Sequence, residues 1–475
     1  MLDWQGERPF SRQFGDIYFS KDSGLEEKRH TFLQGNRLAE RFRLLPGGTD
    51  FAVGETGFGT GLNFLCTWQL FNESAPSTSS LDFFSVEKFP LEEYELARAL
   101  SLWPELKPYA GGLIARWGRR VPGWNRWMFD GGRVRLTLAL TDVAEALPEV
   151  GGGIDAWFLD GFSPARNPGM WTEHVLRNIA RASRPGATFA TYTSAGWVRR
   201  GLAEAGFEVY KSPGFGHKRE MLHGNLPGLS VTSSSARLKP ASAIIVGGGI
   251  SGCATASAFV ARGIPVTLLE SAQTLSAAAS GNPAGILHAR LSAGMNTLQR
   301  FVLASYGHAL ALLDEKLPVD GVARAQCGEL QLAFSAAEEK RIDKLSALEW
   351  PPHVMQRVDS AEASRLAGIE LEHGGLWLPS SGWLVPPRLC AVLTDHPAIT
   401  RHTGTRVTAL TPLGDEGWRV DAIDEDGRHK SYEAEAVIVC TGYQVRSFMP
   451  FANLPLTPVR GQLTFLPATP SSERL

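Results

Sequence analysis

Phe51-Ala-Val-Gly-Glu55-Thr-Gly57-Phe-Gly59-Thr-Gly61-Leu-Asn-Phe-Leu65 decides the fold. An apolar run feeds three alternating glycines and then an amphipathic stretch, the pattern of a strand, a tight turn and a helix. The G-x-G-x-G spacing differs from the G-x-G-x-x-G of a dinucleotide turn. It suits a ligand without a pyrophosphate, such as a nucleoside carrying an amino-acid tail, because glycine lets the backbone pass close beneath that tail. The alternative is a strand-to-helix turn that binds nothing.

Downstream apolar runs extend the pattern. Phe83-Phe-Ser-Val-Glu87 ends in an acid placed to accept two ribose hydroxyls, and Arg135-Leu-Thr-Leu-Ala-Leu-Thr-Asp142 in one placed to take an adenine amino group. Ile154-Asp-Ala-Trp-Phe-Leu-Asp160-Gly-Phe-Ser-Pro164 ends in a third acid, and Ala187-Thr-Phe-Ala-Thr-Tyr-Thr193 supplies a fifth strand. This is the plan of an S-adenosylmethionine-dependent methyltransferase. In-line displacement at a sulfonium needs a neutral, close amine with its lone pair aimed. Asp160 holding an amine N–H beside an aromatic wall from Phe162 would orient it; the alternative for Asp160 is the N-cap of the next helix.

A second opening follows. Ala243-Ile-Ile-Val246-Gly247-Gly-Gly249-Ile-Ser-Gly252 matches the dinucleotide fingerprint in full context, with a strand before it, a small-residue helix after it and Glu270 at the end of Val266-Thr-Leu-Leu-Glu270. FAD is favoured over NAD by Ala279-Ser280-Gly281-Asn282, small residues able to cross the flavin side. Ala436-Val-Ile-Val-Cys-Thr441-Gly442, a late strand returning a turn to the same sheet, points the same way. The stretch from 224 to 242, rich in Pro, Gly and Ser, reads as the linker. The expected architecture is α/β: a Rossmann-like unit over 1–235, then a Rossmann-type FAD unit over 242–475 with an α+β substrate part at roughly 300–435.

Composition narrows the class. At 475 residues the chain has room for about three compact units, and 43% hydrophobic with 20% charged residues excludes disordered and fibrous chains. A net charge of −2 gives no bulk attraction to nucleic acid. Cys66, Cys253, Cys327, Cys390 and Cys440 are scattered, odd in number and without a C-x-x-C pair, which argues against zinc and disulfides and for a reducing, cytoplasmic setting. The N-terminus lacks a basic segment followed by an apolar core, and the uncharged run Ala241–Ala261 is broken by glycines, so neither a signal peptide nor a membrane span is expected.

With these motifs in place, the chain resembles the bifunctional tRNA 5-methylaminomethyl-2-thiouridine biosynthesis proteins over nearly its whole length. The resemblance rests on Gly54–Phe64, Glu87-Lys-Phe-Pro90, Asp155–Pro164, Thr193-Ser-Ala-Gly196 and Gly214–Met221, then on the FAD fingerprint, Ala279–Asn282, Gly382-Trp-Leu384 and Pro458-Val-Arg-Gly-Gln462. It implies a flavin oxidase of the D-amino-acid-oxidase-like class that removes a carboxymethyl group from an aminomethyl-uridine at the tRNA wobble position. A methyltransferase then acts on the exposed amine. Glu55, Gly57, Gly59, Gly61, Glu87 and Asp142 are the implied methyl-donor pocket and Asp160 the carboxylate at the reaction centre. Gly247, Gly249, Gly252, Glu270, Ser280 and Asn282 are the implied FAD contacts. Arg290, Arg388 and Arg460 are candidates for holding the substrate carboxylate.

Members of this oxidase class continue beyond the Pro458–Gln462 motif, whereas this sequence stops at Leu475. An incomplete substrate domain with exposed apolar surface is therefore expected. One alternative keeps only the methyltransferase active, with a degenerate FAD-like half as a tRNA-binding platform. A non-catalytic tRNA-binding scaffold and a small-molecule amine methyltransferase fused to an amine oxidase are others.

The partner expectation centres on residues 111–135, where Arg116, Arg119, Arg120, Arg126, Arg133 and Arg135 interleave with Trp117, Trp124 and Trp127. Arginines with exposed aromatics suit single-stranded RNA loops; the alternative is a solvated face with the tryptophans in the core. Lys211, Lys218 and Arg219 with Phe215 and His217 form a second group, His217 being expected as a surface or backbone-bonding histidine rather than a catalyst. No metal is expected, and the sequence leaves the oligomeric state open.

Overall fold

A computed structural model describes the chain except for residues 1, 6–7, 13, 19–23, 217, 229–238, 293, 295, 349, 460 and 465–475. His217, Arg460 and much of the expected linker lie outside the described residues. The chain divides into two compact units, Met1–Arg237 with Leu303–His308, and Leu238–Val302 with Ala309–Leu475.

The first unit is built on an eight-stranded sheet. Its five parallel strands lie in the order Ser183–Thr191, Ile154–Phe158, Asp50–Glu55, Ser80–Val86, Val134–Leu140. Chain order reverses beside Asp50–Glu55, the first strand, which makes its carboxyl end the switch point where ligands bind in such sheets. Antiparallel strands close both sides: Gly123–Phe129 on one, Glu220–Asn225 and Glu208–Pro213 on the other. Asp50–Glu55 is buried along nearly its whole length, as expected of a strand covered on both faces. The turn after it needs Gly59 and Gly61, whose φ angles of 56° and 74° lie in the left-handed region. Gly61 then opens the helix Leu62–Ser74.

Ion pairs hold the sheet toward the amino ends of its strands. Arg135, 2% exposed, grips both oxygens of Asp82 at 2.9 and 2.8 Å and reaches Asp50 at 3.1 Å, tying three neighbouring strands. Arg126 adds a contact to Asp82 at 3.1 Å. Arg184 pairs with Asp155 at 3.0 Å, and the same carboxylate accepts from the Ala52 N–H.

These contacts correct the reading of residues 111–135 as an RNA-facing surface. The segment forms the helix Lys107–Trp117 and the edge strand Gly123–Phe129, and Trp117 and Trp127 are wholly buried. Period-two alternation drives the strand, with Asn125, Trp127 and Phe129 turned inward. Arg120 pairs with Glu92, Arg116 lies over the Phe129 ring, Arg133 binds backbone carbonyls, and Trp124 donates to Glu149. Arg116, Arg120, Arg126, Arg133 and Arg135 thus donate to the unit's own acceptors. In the second group, Lys211 pairs with Glu220 and Lys218 with Glu27.

The second unit holds a parallel sheet in the order Ile399–His402, Val266–Leu269, Ala243–Val246, Ala436–Val439. The late strand at 436 thus joins the first strand of the fingerprint. Helix Ile250–Val260 follows the glycine turn, and a Cβ on Gly252 would stand 1.8 Å from the Gly247 carbonyl oxygen, so only glycine lets helix and turn meet. Three small antiparallel sheets complete the unit, one of them the meander Arg406–Pro412, Trp418–Ile423, His429–Ala434. Ile286, Val322, Phe334 and Met449 are each more than two-thirds exposed.

Arg135→Met leaves the Asp50 and Asp82 carboxylates buried without their shared cation, and a loss of about 3–5 kcal/mol is expected. Denaturant unfolding of the first unit checks this; a loss below about 1 kcal/mol, the range of a surface pair, contradicts it.

Candidate active site

A cavity of about 240 Å³ opens at the carboxyl edge of the first sheet. Its walls are the turn Thr56–Thr60, the strand ends at Glu87, Asp142 and Asp160, and a rim of Phe14, Tyr18, Phe89 and Phe162. Phe14 stacks on Phe162 with centroids 4.6 Å apart, and Tyr18 meets Phe162 edge-on at 5.3 Å. A Cβ on Gly57 would lie 3.1 Å from the Asp160 carbonyl oxygen, and one on Gly59 3.3 Å from the Tyr18 ring. A side chain at either position would fill the cradle, so the turn fits a ligand passing close along its backbone.

Glu87 accepts the Gly59 N–H with one oxygen and the Phe89 N–H with the other, both at 2.8 Å. Burial raises its pKa against these hydrogen bonds. Asp142 caps the short helix behind it through the Ala144 N–H at 2.9 Å and pairs with Lys88 at 2.9 Å. Partial burial opposes its charge, but Lys88 and the Ala144 N–H prevail and hold it below the usual carboxylate range. Each carboxylate oxygen keeps further acceptor capacity for a ligand.

Asp160 is 8% exposed. Its Oδ1 accepts the Gly161 N–H at 2.9 Å; its Oδ2 takes the Asn63 amide at 2.8 Å and the Lys28 ammonium. It caps no helix, since the next helical turn, Pro168–Trp171, begins eight residues on and has Asn167 at its N-cap. The N-cap alternative falls.

Glu55 and Gly61 do not line the cavity. Expected among the donor contacts, Glu55 instead lies wholly buried behind the turn, accepting the Asn63 amide at 2.7 Å and the Ser85 hydroxyl at 2.6 Å. Burial, then the nearby Asp160 charge, push its pKa up to about 8. Asn63 thus donates to both acids through one nitrogen. Sequence reasoning missed Lys28 and Asn63, as well as the rim residues Phe14 and Tyr18. Asn63 stands inside the glycine motif, which could have signalled it, whereas Lys28, Phe14 and Tyr18 carry no motif, and Lys28 reaches Asp160 across 132 residues of chain.

In the second unit Glu270 accepts the Gly248 N–H at 2.6 Å and the Ala272 N–H at 2.8 Å, beside the turn. The Ser280 hydroxyl accepts the Ile250 N–H at 3.0 Å, at the start of helix Ile250–Val260. Asn282 donates to the Ala279 carbonyl and is exposed. Gly247 has φ 109°, and a Cβ there would stand 2.6 Å from the Cys440 carbonyl oxygen; one on Gly249 would stand 3.1 Å from the Ser280 hydroxyl. This is a cradle that side chains would fill at the start of a helix, which fits a pyrophosphate. Arg290 and Arg388 are exposed. Among the described residues no group of three or more His, Cys, Asp or Glu side chains is placed to hold a metal, and no helix is long and apolar enough to cross a membrane.

Residues 104–227 match the S-adenosyl-L-methionine-dependent methyltransferase family, and residues 242–475 the FAD dependent oxidoreductase family. The whole chain is 67% identical to 76% of the tRNA 5-methylaminomethyl-2-thiouridine biosynthesis bifunctional protein MnmC of Nitrosospira multiformis. This chain belongs to the MnmC family. The MnmC protein of Pseudomonas aeruginosa is 48% identical, again over all of this chain and 72% of its own length. A crystal structure of MnmC2 from Aquifex aeolicus overlaps 46% of this chain and 67% of its own at 24% identity and a TM-score of 0.39. S-adenosylmethionine and FAD are accordingly the cofactors of the two halves of this chain.

Glu55 carries a pH prediction. Its folded pKa lies above its unfolded value of 4.5, so the folded state binds the extra proton and stability falls as pH rises from about 4.5 through about 8. Glu55→Gln stays neutral and is expected to flatten that decline. Melting temperatures at pH 5.5, 7 and 8.5 test it; parallel curves for the two proteins contradict it.

Proposed function

We propose that the protein carries out two steps on the wobble uridine of tRNA. The FAD half removes the carboxymethyl group from 5-carboxymethylaminomethyl-(2-thio)uridine, and the first half then methylates the amine to give 5-methylaminomethyl-(2-thio)uridine. As a tRNA-modifying enzyme it would work in the cytoplasm. The methyltransferase domain is assigned to 1–235 and the oxidoreductase domain to 242–475, with the substrate subdomain at roughly 300–435.

The observation that carries the reading is Asp160: a carboxylate fixed by three hydrogen bonds at the edge of a cavity walled by a glycine turn and two strand-end acids. When bound, S-adenosylmethionine supplies a methyl group on a sulfonium; the amine's lone pair takes it, the carbon–sulfur pair leaves with sulfur, and the amine sheds one proton. The turn Thr56–Gly59 holds the amino-acid tail, Glu87 faces the ribose and Asp142 the adenine. Asp160 accepts an N–H of the substrate amine and fixes its direction. The stacked Phe14 and Phe162 offer an aromatic face to the uracil ring.

In the second half, Gly247, Gly249 and the start of helix Ile250–Val260 hold the FAD pyrophosphate and Glu270 its ribose, with Ser280 and Asn282 flanking the same end. FAD, when bound, accepts a hydride from the carbon beside the substrate nitrogen.

The direct test incubates the protein with tRNA from a strain lacking this modification, with and without S-adenosylmethionine, and reads the nucleosides by mass spectrometry. Loss of the carboxymethyl group without the donor, and 5-methylaminomethyl-uridine with it, are expected. Asp160→Ala is expected to slow methyl transfer about a hundredfold or more while donor affinity holds; unchanged turnover refutes the assignment. Gly252→Val is expected to yield protein without visible flavin absorbance that still methylates an aminomethyl-tRNA, and retained flavin refutes the cradle.

A further inference from the structure

Lys28 ends the short helix Gly24–Lys28 and points into the cavity wall. Its side chain is 15% exposed, its ammonium donates to Asp160 Oδ2, and it lies 5.2 Å from the centre of the Phe32 ring. Burial works against its charge, but the field and hydrogen bond of Asp160 outweigh that, with Glu27 and Glu55 adding, and its pKa rises above the ordinary lysine value. It is therefore a fixed cation beside the carboxylate that is to receive the substrate amine.

Among the described residues, other titratable groups stand around the pair. Glu55 lies below, joined to Asp160 through Asn63. Glu27 neighbours Lys28 along the chain and is held by Lys218 at 2.5 Å. Tyr192, with its hydroxyl on the Gly161 carbonyl, stays protonated because burial and the Asp160, Asp16 and Glu27 charges push its pKa up. Tyr18, with Glu87, completes the mouth; burial and Glu87 raise its pKa likewise.

Resting on the methyl-transfer reading above, we infer that Lys28 sets the protonation state of the incoming amine: by cancelling the charge of Asp160 it stops that carboxylate from holding the amine as an unreactive ammonium ion. A primary alkylamine is an ammonium ion at neutral pH, as lysine is. An ammonium has no lone pair to give. A lone buried carboxylate would make matters worse, since an opposite charge a few ångströms away favours the charged form. Paired with Lys28, Asp160 keeps its acceptor lone pairs but offers little net field. Lys28 also repels a second cation. The amine then loses its proton to solvent while an N–H still donates to Asp160. Lys28 is a positioning residue in this account, acting through Asp160 and through its charge.

The test uses the full chain without donor and an anticodon stem-loop RNA bearing a 5-aminomethyl-2-thiouridine whose aminomethyl carbon is carbon-13 labelled. The shift of that carbon against pH reads the pKa of the bound amine. In the wild type it is expected about one unit or more below that of the free stem-loop, a tenfold gain in neutral amine near neutral pH. Lys28→Met is expected to raise it above the wild-type value by a similar amount, and Lys28→Arg to restore it. With donor added, the rising limb of kcat against pH moves to higher pH in Lys28→Met, so the variant recovers in alkali. A bound amine that titrates alike in wild type and Lys28→Met overturns the inference, as does a rate lowered equally at every pH. If Lys28→Met does not fold, the wild type decides, for a bound pKa at or above the free value overturns it. Failure of the stem-loop to bind refutes the proposed function itself, and the inference falls with it.

Discussion

Parallel strands joined by crossovers all end on one edge of their sheet, and this constraint organises the first unit. The turn after the first strand and the acids after the next three lie far apart in sequence, yet one edge collects them around a single cavity. The opposite edge takes a different task. Toward the amino ends, Arg135, Asp50, Asp82, Asp155 and Arg184 form buried pairs that bind strand to strand. Stability and chemistry are separated along the strand axis, so the site carries polar groups chosen for a ligand rather than for cohesion.

At the cavity, Lys28 and Asp160 line the wall and Glu55 lies buried behind it. Lys28, Asp160 and Glu55 would leave one uncompensated negative charge if all were ionised. Burial and the Asp160 field instead raise the Glu55 pKa to about 8, so at neutral pH the trio is a neutral acid beside an ion pair. Asn63 suits the link between the acids because its amide nitrogen donates to both without adding charge. Asp160 is left with a fixed direction and a balanced charge, as its proposed role of acceptor for a neutral amine requires.

The second unit applies the same edge rule to a different ligand. Its glycine turn packs more tightly than the first: Gly252 lets helix Ile250–Val260 approach the Gly247 carbonyl, an arrangement that fits the proposed pyrophosphate. The first unit's helix opens from Gly61, whose backbone is left-handed. Both turns are followed by a strand ending near an acid, Glu87 or Glu270. Each of these acids accepts one N–H from the glycine turn, Gly59 or Gly248, and one from its own loop, Phe89 or Ala272, which fixes its carboxylate beside the turn.

What the sequence determined by itself was everything with a local cause. Strands that are apolar on both faces, tight glycine turns and acids directly after strands are set by neighbouring residues, so both Rossmann-type sheets and the cavity's Gly57, Gly59, Glu87, Asp142, Asp160 and Phe162 were legible. Even the return of the strand at 436 to the second sheet could be read from its apolar run and the Thr441-Gly442 turn. Tertiary structure alone decided the rest. It buried Trp117, Trp127, Arg120 and Arg135 and set Arg126 and Arg135 on Asp82, because an edge strand's partners lie on other strands. It placed Glu55 behind the turn instead of in it, since successive strand residues face opposite sides. And it brought Lys28 to Asp160 across 132 residues, a pairing that no local pattern encodes because electrostatic partners are chosen by distance in space and not by distance along the chain.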